Sequence, residues 1–366
     1  MGSARRAVPA AMLAVVLAAV LAAAGCGNLR SPGDREAPGG RESPEGPASG
    51  GRVRIVTTVF ALGEFAGAVG GDRVAVEYLV PAGGHAHEFE PTPRDLERIL
   101  DADIFLYNGA GFEPWVEHML ARVQGARVRA VDASQGIDLL EAGGLEAGEP
   151  DEAGGGSGTG GTGVAGGAVD PHVWLDPLRA ARQVSVIADA VAAVDPAGAA
   201  AYRANRDAYV RRLEELDRRW AAALEGCRVR DFVAEHGAYG YLADRYGLRQ
   251  VAVTGLASDQ DPTPRRLAEI AALMAERGIG VVYREPGSTT GVAEALAAET
   301  GARVLLLDPL ETPGAAAAVG AGAGAAARAG AGATPGAAAE APGEAYLAVM
   351  ERNLEALAQG LDCASR

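Results

Sequence analysis

With 366 residues, the chain is long enough for two domains that each bury a hydrophobic core. Its 33 basic and 48 acidic residues give a formal net charge of −15, which argues against a nucleic-acid partner. The acidic excess favours solubility and is compatible with attracting cations. Beyond the N-terminal segment, no stretch has the ~20 apolar residues of a membrane-spanning helix.

Residues 1–25 have the parts of a secretion signal peptide. Arg5 and Arg6 supply positive charge, an apolar run follows over 7–24, and small residues precede Cys26. A cysteine at this place is typical of a lipobox, in which Cys26 is acylated and becomes the mature N-terminus. The alternatives are an unlipidated signal peptide and a single anchoring helix, since Ala23 stands where a lipobox usually has a bulky aliphatic residue.

Residues 26–52 are rich in glycine, proline, serine and charge, which predicts a lipidated, disordered tether. From residue 53, strand-like and helix-like segments alternate. Strands are predicted at 53–59, 74–80, 103–107 and 126–131, and helices at 64–69, 93–100 and 113–123. This alternation predicts a parallel sheet covered by helices, within an N-terminal lobe of residues 53–196.

The second half of the chain repeats the pattern. Strands are predicted at 228–234, 248–253, 279–283 and 303–307, and helices at 239–246, 264–277 and 289–300. A final helix has apolar residues on one face: Leu347, Met350, Leu354, Leu357 and Leu361. Residues 225–366 are therefore predicted to form a C-terminal α/β lobe, against which this helix packs.

Two predicted helices lie between the lobes. The first has four aliphatic residues on one face: Val184, Ile187, Val191 and Val194. The second, residues 197–224, would extend roughly 40 Å, which is long enough to cross both lobes. The predicted fold is therefore α/β, with two similar four-stranded parallel-sheet lobes joined by one long rigid helix.

Two low-complexity insertions interrupt the lobes. Residues 141–168 are acidic and rich in glycine, and residues 313–343 are almost all alanine and glycine. The acidic insertion is either a weak cation-collecting loop or a flexible linker. We assign no function to the second insertion.

Cys227 and Cys363 remain once Cys26 is assigned to the lipid. An exported protein folds in an oxidising compartment, where such a pair forms a disulfide more often than two free thiols. We therefore predict this disulfide, with two unpaired buried thiols as the alternative.

Two of the five histidines follow strands, where parallel sheets bind ligands, and a third lies near the crossover between the lobes. His87 follows the second strand, His236 follows the first strand of the C-terminal lobe, and His172 precedes the paired helices. They would converge in the cleft between the lobes, where three imidazoles with a carboxylate or water suit tetrahedral zinc. His85 either assists the site or is a solvated loop histidine, and His118 is expected on a helix surface or in packing.

Six stretches resemble the zinc- and manganese-binding lipoproteins of ABC importers. The residues PAGGHAHEFEPTPRD (81–95), DPHVWLDP (170–177) and AEHGAYGYLADRYGL (234–248) are similar to the three histidine-bearing motifs of that family. NGAGFEPWVEHML (108–120), REP (284–286) and LDPLE (307–311) match further parts of it. The resemblance extends from residue 53 to the C-terminus, apart from the two insertions.

The resemblance implies a metal site of three imidazoles and one carboxylate: His87, His172 and His236, with Asp308 or Glu311 as fourth ligand. Water and Glu285 are alternatives for the fourth position. Manganese-type members often carry a carboxylate where His236 stands, so this chain is expected to prefer zinc. The first loop departs from the family's usual Asp-Pro-His, because His85 and Ala86 precede His87.

The function implied is that of an extracytoplasmic solute-binding protein, which captures Zn²⁺ and delivers it to an ABC permease and its ATPase. It would be a monomer in the cell envelope, lipid-anchored on the outer face of the cytoplasmic membrane, and not an enzyme. A manganese-binding protein of the same class is the alternative.

Two functions from other classes remain open. A zinc hydrolase would use three histidines and water, with Glu285 or Glu88 as general base, but the chain has no His-Glu-x-x-His motif. A surface adhesin would need only the anchor and tether. Trp115, Trp174 and Tyr241 are expected in the core or an interface rather than in contact with a metal.

Overall fold

The computed structural model describes residues 51–84, 86–141, 169–256, 262–313 and 343–363. The predicted signal peptide and Cys26 lie outside these ranges, as do most of the tether, His85 and nearly all of both insertions.

The N-terminal lobe is built on a four-stranded parallel sheet. Its strands are β1 (Val53–Thr57), β2 (Val74–Tyr78), β3 (Ile104–Tyr107) and β4 (Arg129–Asp132), in the order β2-β1-β3-β4. The helices are α1 (Phe60–Gly70), α2 (Pro93–Leu100) and α3 (Val116–Val123).

The C-terminal lobe repeats this topology. Its strands β5 (Asp231–Ala234), β6 (Arg249–Ala252), β7 (Val281–Arg284) and β8 (Arg303–Leu306) are parallel, in the order β6-β5-β7-β8. Its helices are α6 (Gly240–Tyr246), α7 (Pro264–Arg277) and α8 (Val292–Thr300). The predicted pair of four-stranded α/β lobes is confirmed.

Helices with local capping signals begin where the sequence predicts. Thr92 caps α2 through a capping box, in which its hydroxyl accepts the Asp95 N–H and the Asp95 carboxylate accepts the Thr92 N–H. Thr263 caps α7 by accepting the Arg266 N–H, and proline follows each cap.

Helices without such signals begin elsewhere. Helix α1 starts at residue 60 rather than 64. The residue before it makes no side-chain cap, so no local signal marks this start in the sequence. Helix α3 starts at residue 116 rather than 113, because the Glu113 carboxylate accepts the Asn108 and Gly109 N–H groups and belongs to the preceding loop.

Between the two sheets in the chain lie α4 (Pro177–Val194), a short turn and α5 (Ala199–Leu224), of which α5 is the linking helix. With 26 residues, α5 extends about 39 Å. It packs on α1 and α4, and further along on α6 and the C-terminal helix α9 (Glu344–Gly360). One long helix therefore crosses from one lobe to the other, as predicted.

Helix α9 also contacts both lobes, which corrects the expectation that it packs on the C-terminal lobe. Near its start, the Tyr346 hydroxyl donates to the Trp174 carbonyl oxygen at 2.6 Å. Near its end, the Ala356 carbonyl oxygen accepts a hydrogen bond from the Tyr283 hydroxyl at 3.1 Å. The apolar face of α9 fits both surfaces, so periodicity alone did not separate them.

Cys227 and Cys363 form a disulfide across a sequence separation of 136 residues. Beside it, the Val229 N–H donates to the Leu361 carbonyl oxygen at 3.1 Å. The bond fastens the end of α9 to the segment that leads into β5. Of the helices in the described ranges, none combines the length and apolar character needed to cross a membrane.

Candidate metal centre

Four side chains from four separate segments meet between the lobes. His87 comes from the loop after β2, His172 from the turn before α4, His236 from the loop after β5 and Glu311 from the segment after β8. One potential ligand atom from each lies within 4.8 Å of the other three. The structure thus brings the three histidines together, and it adds Glu311 rather than Asp308.

The spacing of these atoms suits a small tetrahedral ion. The Nε2 atoms of His87 and His172 are 3.0 Å apart. Glu311 Oε1 is 3.5 Å from each of these atoms and 3.2 Å from His236 Nε2. Zinc at ~2.0–2.1 Å from nitrogen and oxygen ligands holds them roughly 3.3 Å apart in a tetrahedron.

The centre is buried and contains unsatisfied polar atoms. The His172 and His236 side chains are 0% and 1% exposed, and those of His87 and Glu311 are each 11% exposed. Neither His236 Nε2 nor Glu311 Oε1 has a hydrogen-bond partner in the described part of the chain. Buried polar atoms are normally paired, so this pattern favours a bound cation.

Two further carboxylates orient the imidazoles. Asp170 Oδ1 accepts hydrogen bonds from His172 Nδ1 at 2.8 Å and from the His172 N–H at 2.9 Å. The Glu285 carboxylate contacts His236 Nδ1. A proton held on Nδ1 leaves the Nε2 lone pair free to face the centre, as in carboxylate–histidine–metal arrangements.

Aromatic rings hold the imidazoles from the side. Phe112 lies 4.3 Å from the His87 ring, and Trp174 lies 5.4 Å from the His172 ring, measured between centroids. Trp174 and Tyr241 are buried, and the Tyr241 hydroxyl donates to the Asp170 carbonyl oxygen. Trp115 packs against the Phe89 ring. These three aromatic residues pack as expected, outside the cluster.

The remaining candidates from the sequence have other surroundings. Asp308 Oδ1 accepts the Leu310 N–H at 2.8 Å, and burial raises the pKa of its carboxyl to about 6. Glu285 contacts the far nitrogen of His236 rather than the centre. His118 and Glu88 are exposed.

The four clustered groups perturb one another's protonation. Burial lowers the pKa of His87 below its ordinary value. Burial also acts to lower the pKa of His172 and His236, but neighbouring carboxylates outweigh it and raise both, that of His236 strongly. Burial alone would raise the pKa of Glu311, yet the three imidazoles hold it well below the ordinary range.

An open cavity of about 100 Å³ lies beside the centre. It is lined by Glu311 and by three more acidic residues: Glu235, Glu285 and Asp308. Gly84, from the loop that carries His87, also lines it. An acidic cavity therefore borders the centre at Glu311.

Asp170 and Phe112 contact the histidines but are not among the site residues predicted from the sequence. A usable signal existed for Asp170, because it stands two residues before His172 in the DPH stretch. A carboxylate that supports a metal-binding histidine is a general arrangement. Phe112 has no such signal, since its contact with His87 depends on how two loops meet.

The family model described as "Zinc-uptake complex component A periplasmic" matches residues 55–360. The zinc-binding lipoprotein AdcA of Streptococcus pneumoniae is 34% identical over 312 residues, covering 85% of this chain and 56% of the relative. The high-affinity zinc uptake system protein ZnuA of Bacillus subtilis is 33% identical over 299 residues, covering 82% and 88%. The chain thus spans about half the length of the streptococcal relative.

Among solved structures, the Zn(II)-bound ZnuA-like domain of Streptococcus pneumoniae AdcA superposes with a TM-score of 0.65. It is 32% identical, and the match covers 85% of this chain and 100% of that domain.

Proposed function

The chain belongs to the family of zinc-uptake complex component A proteins, and we propose that it captures zinc outside the cytoplasmic membrane and delivers it to an ABC importer. The observation that carries this proposal is the buried cluster of three imidazoles and one carboxylate, with ligand atoms within 4.8 Å of one another. In the proposal His87, His172, His236 and Glu311 are the four zinc ligands.

The ligand set favours zinc over manganese. Imidazole nitrogen suits zinc, whereas manganese prefers sites rich in carboxylate and water oxygen. The buried His236, held through Nδ1 by Glu285, supplies nitrogen to the centre. Manganese uptake by the same class of protein is therefore the less favoured reading.

Capture is favoured over hydrolysis for a geometric reason. Catalytic zinc keeps one coordination position open for water or substrate, whereas four protein ligands close the tetrahedron. Glu311 lies close enough to all three imidazoles to take the fourth position. A hydrolytic water would have to displace it, so we propose that the protein is not an enzyme.

We further propose a cell-envelope location. The relative from Streptococcus pneumoniae is named a lipoprotein, and Cys26 follows a signal-like segment here. A lipid on Cys26 would hold the chain, as a monomer, on the outer face of the cytoplasmic membrane beside the permease and its ATPase. The lobes in this proposal are residues 53–196 and 225–366, with the linking helix at 197–224.

The proposal predicts one tightly bound zinc per chain. Because nitrogen ligands and the Irving–Williams order both favour zinc, a 100-fold excess of manganese is expected to displace on the order of 10% of it or less. Competition titration of the purified protein measures this. Displacement by equimolar manganese would contradict the ligand assignment, and hydrolysis of ester or peptide substrates by the zinc-loaded protein would support the enzyme instead.

Zinc binding near neutral pH is predicted to release protons. Neighbouring carboxylates raise the pKa of His172 and His236, so the metal-free site retains protons that zinc must displace. Affinity should therefore rise with pH until both imidazoles are neutral without metal. Calorimetry in two buffers of different ionisation enthalpy measures the released protons. Identical heats in both buffers would show that the site binds zinc already deprotonated.

A further inference from the structure

Glu311 belongs to the C-terminal lobe in sequence, but its segment is hydrogen-bonded to the N-terminal lobe. Three consecutive carbonyl oxygens, of residues 309–311, accept hydrogen bonds from that lobe. The donors are Trp174 Nε1 to Pro309 at 2.7 Å, the Ala61 N–H to Leu310 at 3.2 Å and the Phe60 N–H to Glu311 at 2.8 Å.

These contacts provide hydrogen-bond acceptors for the N–H groups at the start of α1. The first N–H groups of a helix have no partner within the helix, and Val59, the residue before α1, provides no side-chain cap. The carbonyl oxygens of Leu310 and Glu311 take that role from the opposite lobe. The segment that carries the carboxylate is therefore fixed at a definite distance from the N-terminal lobe.

The segment reaches this position through an unusual backbone conformation. Leu310 has a φ of +59°, in the left-handed region that a leucine adopts at a cost of ~1 kcal/mol or more. The Leu310 N–H donates to Asp308 Oδ1 at 2.8 Å, which stabilises the turn. The Asp308 carboxylate thus shapes the backbone immediately before Glu311.

Asp308 is in turn held by α9. Asn353 Oδ1 accepts the Asp308 N–H at 2.9 Å, and Asn353 Nδ2 donates to the Asp308 carbonyl oxygen at 2.8 Å. The Asn353 side chain is buried and pairs with both backbone groups of one residue. This pair of hydrogen bonds fixes the orientation and the position of the Asp308 backbone, where the turn begins.

We propose that Asp308 and Asn353 are positioning residues for the Glu311 carboxylate. They set the turn that docks residues 309–311 on the start of α1 and Trp174, and this places Glu311 Oε1 among the imidazoles. The inference rests on the proposed zinc site. It assigns to Asp308 a backbone contact rather than a place among the ligands.

Two substitutions at Asp308 test the proposal in the full chain. Asp308→Ala removes the acceptor for the Leu310 N–H and is expected to weaken zinc binding about 10-fold, the lower end for residues that orient ligands. Asp308→Asn keeps an oxygen at the same place, so its zinc affinity should stay within about threefold of the parent. An equal loss of zinc affinity in both variants would show that the negative charge of Asp308 itself supports zinc binding, either as a ligand or through its electric field. That result would overturn the proposal.

Asn353→Ala removes the two hydrogen bonds that hold Asp308 to α9, and it should also weaken zinc binding about 10-fold. Thermal unfolding of the metal-free variants identifies any that fails to fold, and the other alanine variant then provides the test. Cobalt(II) absorption is the second measurement. The spectra of both alanine variants should shift towards that of Glu311→Gln, whereas Asp308→Asn should resemble the parent.

The Glu311→Gln background distinguishes a failure of the positioning role from a failure of the zinc site. If Asp308 acts through Glu311, adding Asp308→Ala to Glu311→Gln should cause no further loss of zinc affinity. A further tenfold loss would overturn the positioning role while leaving the zinc site intact. If Glu311→Gln alone binds zinc like the parent, the proposed ligand set itself is wrong.

Discussion

Replacing any one of His87, His172 and His236 by alanine is expected to weaken zinc binding about 1,000-fold, or about 4 kcal/mol. Each substitution would remove one of the four bonds proposed for the ion in this buried site. At two of the positions the loss also removes an imidazole contact from a carboxylate, that of His172 Nδ1 with Asp170 and that of His236 Nδ1 with Glu285. Competition with a zinc chelator of known affinity measures the change.

His118→Ala provides the matched control, since it removes the same side chain from an exposed position on α3. Its zinc affinity should stay within about twofold of the parent, as for surface substitutions in general. If all three site variants also stayed within threefold, the ion would bind elsewhere and the assignment of the centre would fail.

Much of the fold could be predicted because its signals are local. Thr92 and Thr263 mark two helix starts through their own hydroxyls and the prolines that follow them. The start of α1 could not be predicted in the same way. Its cap is the backbone of residues 310–311, which carries no side-chain signal and comes from the other lobe.

The site residues also differ in whether a local signal in the sequence marks them. His87 and His236 could be predicted because parallel sheets place the loops after their strands at one edge, where ligands bind. His172 follows no strand, and its DPHVWLDP motif supplied the signal. The choice between Asp308 and Glu311 could not be made from the sequence, because it depends on the backbone turn between them, in which Leu310 has a positive φ. The contact of Asn353 with Asp308 spans 45 residues and follows no sequence period.

Replacing Cys227 and Cys363 together by serine is expected to lower the free energy of unfolding by about 4 kcal/mol. The disulfide closes a sequence separation of 136 residues, and its loss frees the unfolded chain to adopt many more conformations. Zinc affinity of the folded variant should change less than about threefold, because Asn353, Tyr283 and the Val229 N–H still hold α9 to the C-terminal lobe.

Denaturant unfolding of the metal-free protein measures the stability difference. Reductant provides the internal control, since it should destabilise the parent by a similar amount and leave the serine variant unchanged. An unaltered unfolding midpoint in the variant, or reactive thiols at both positions in the denatured, unreduced parent, would show that the bond does not form. A large loss of zinc affinity with folding intact would instead mean that the end of α9 helps to set Asn353, and through it Glu311.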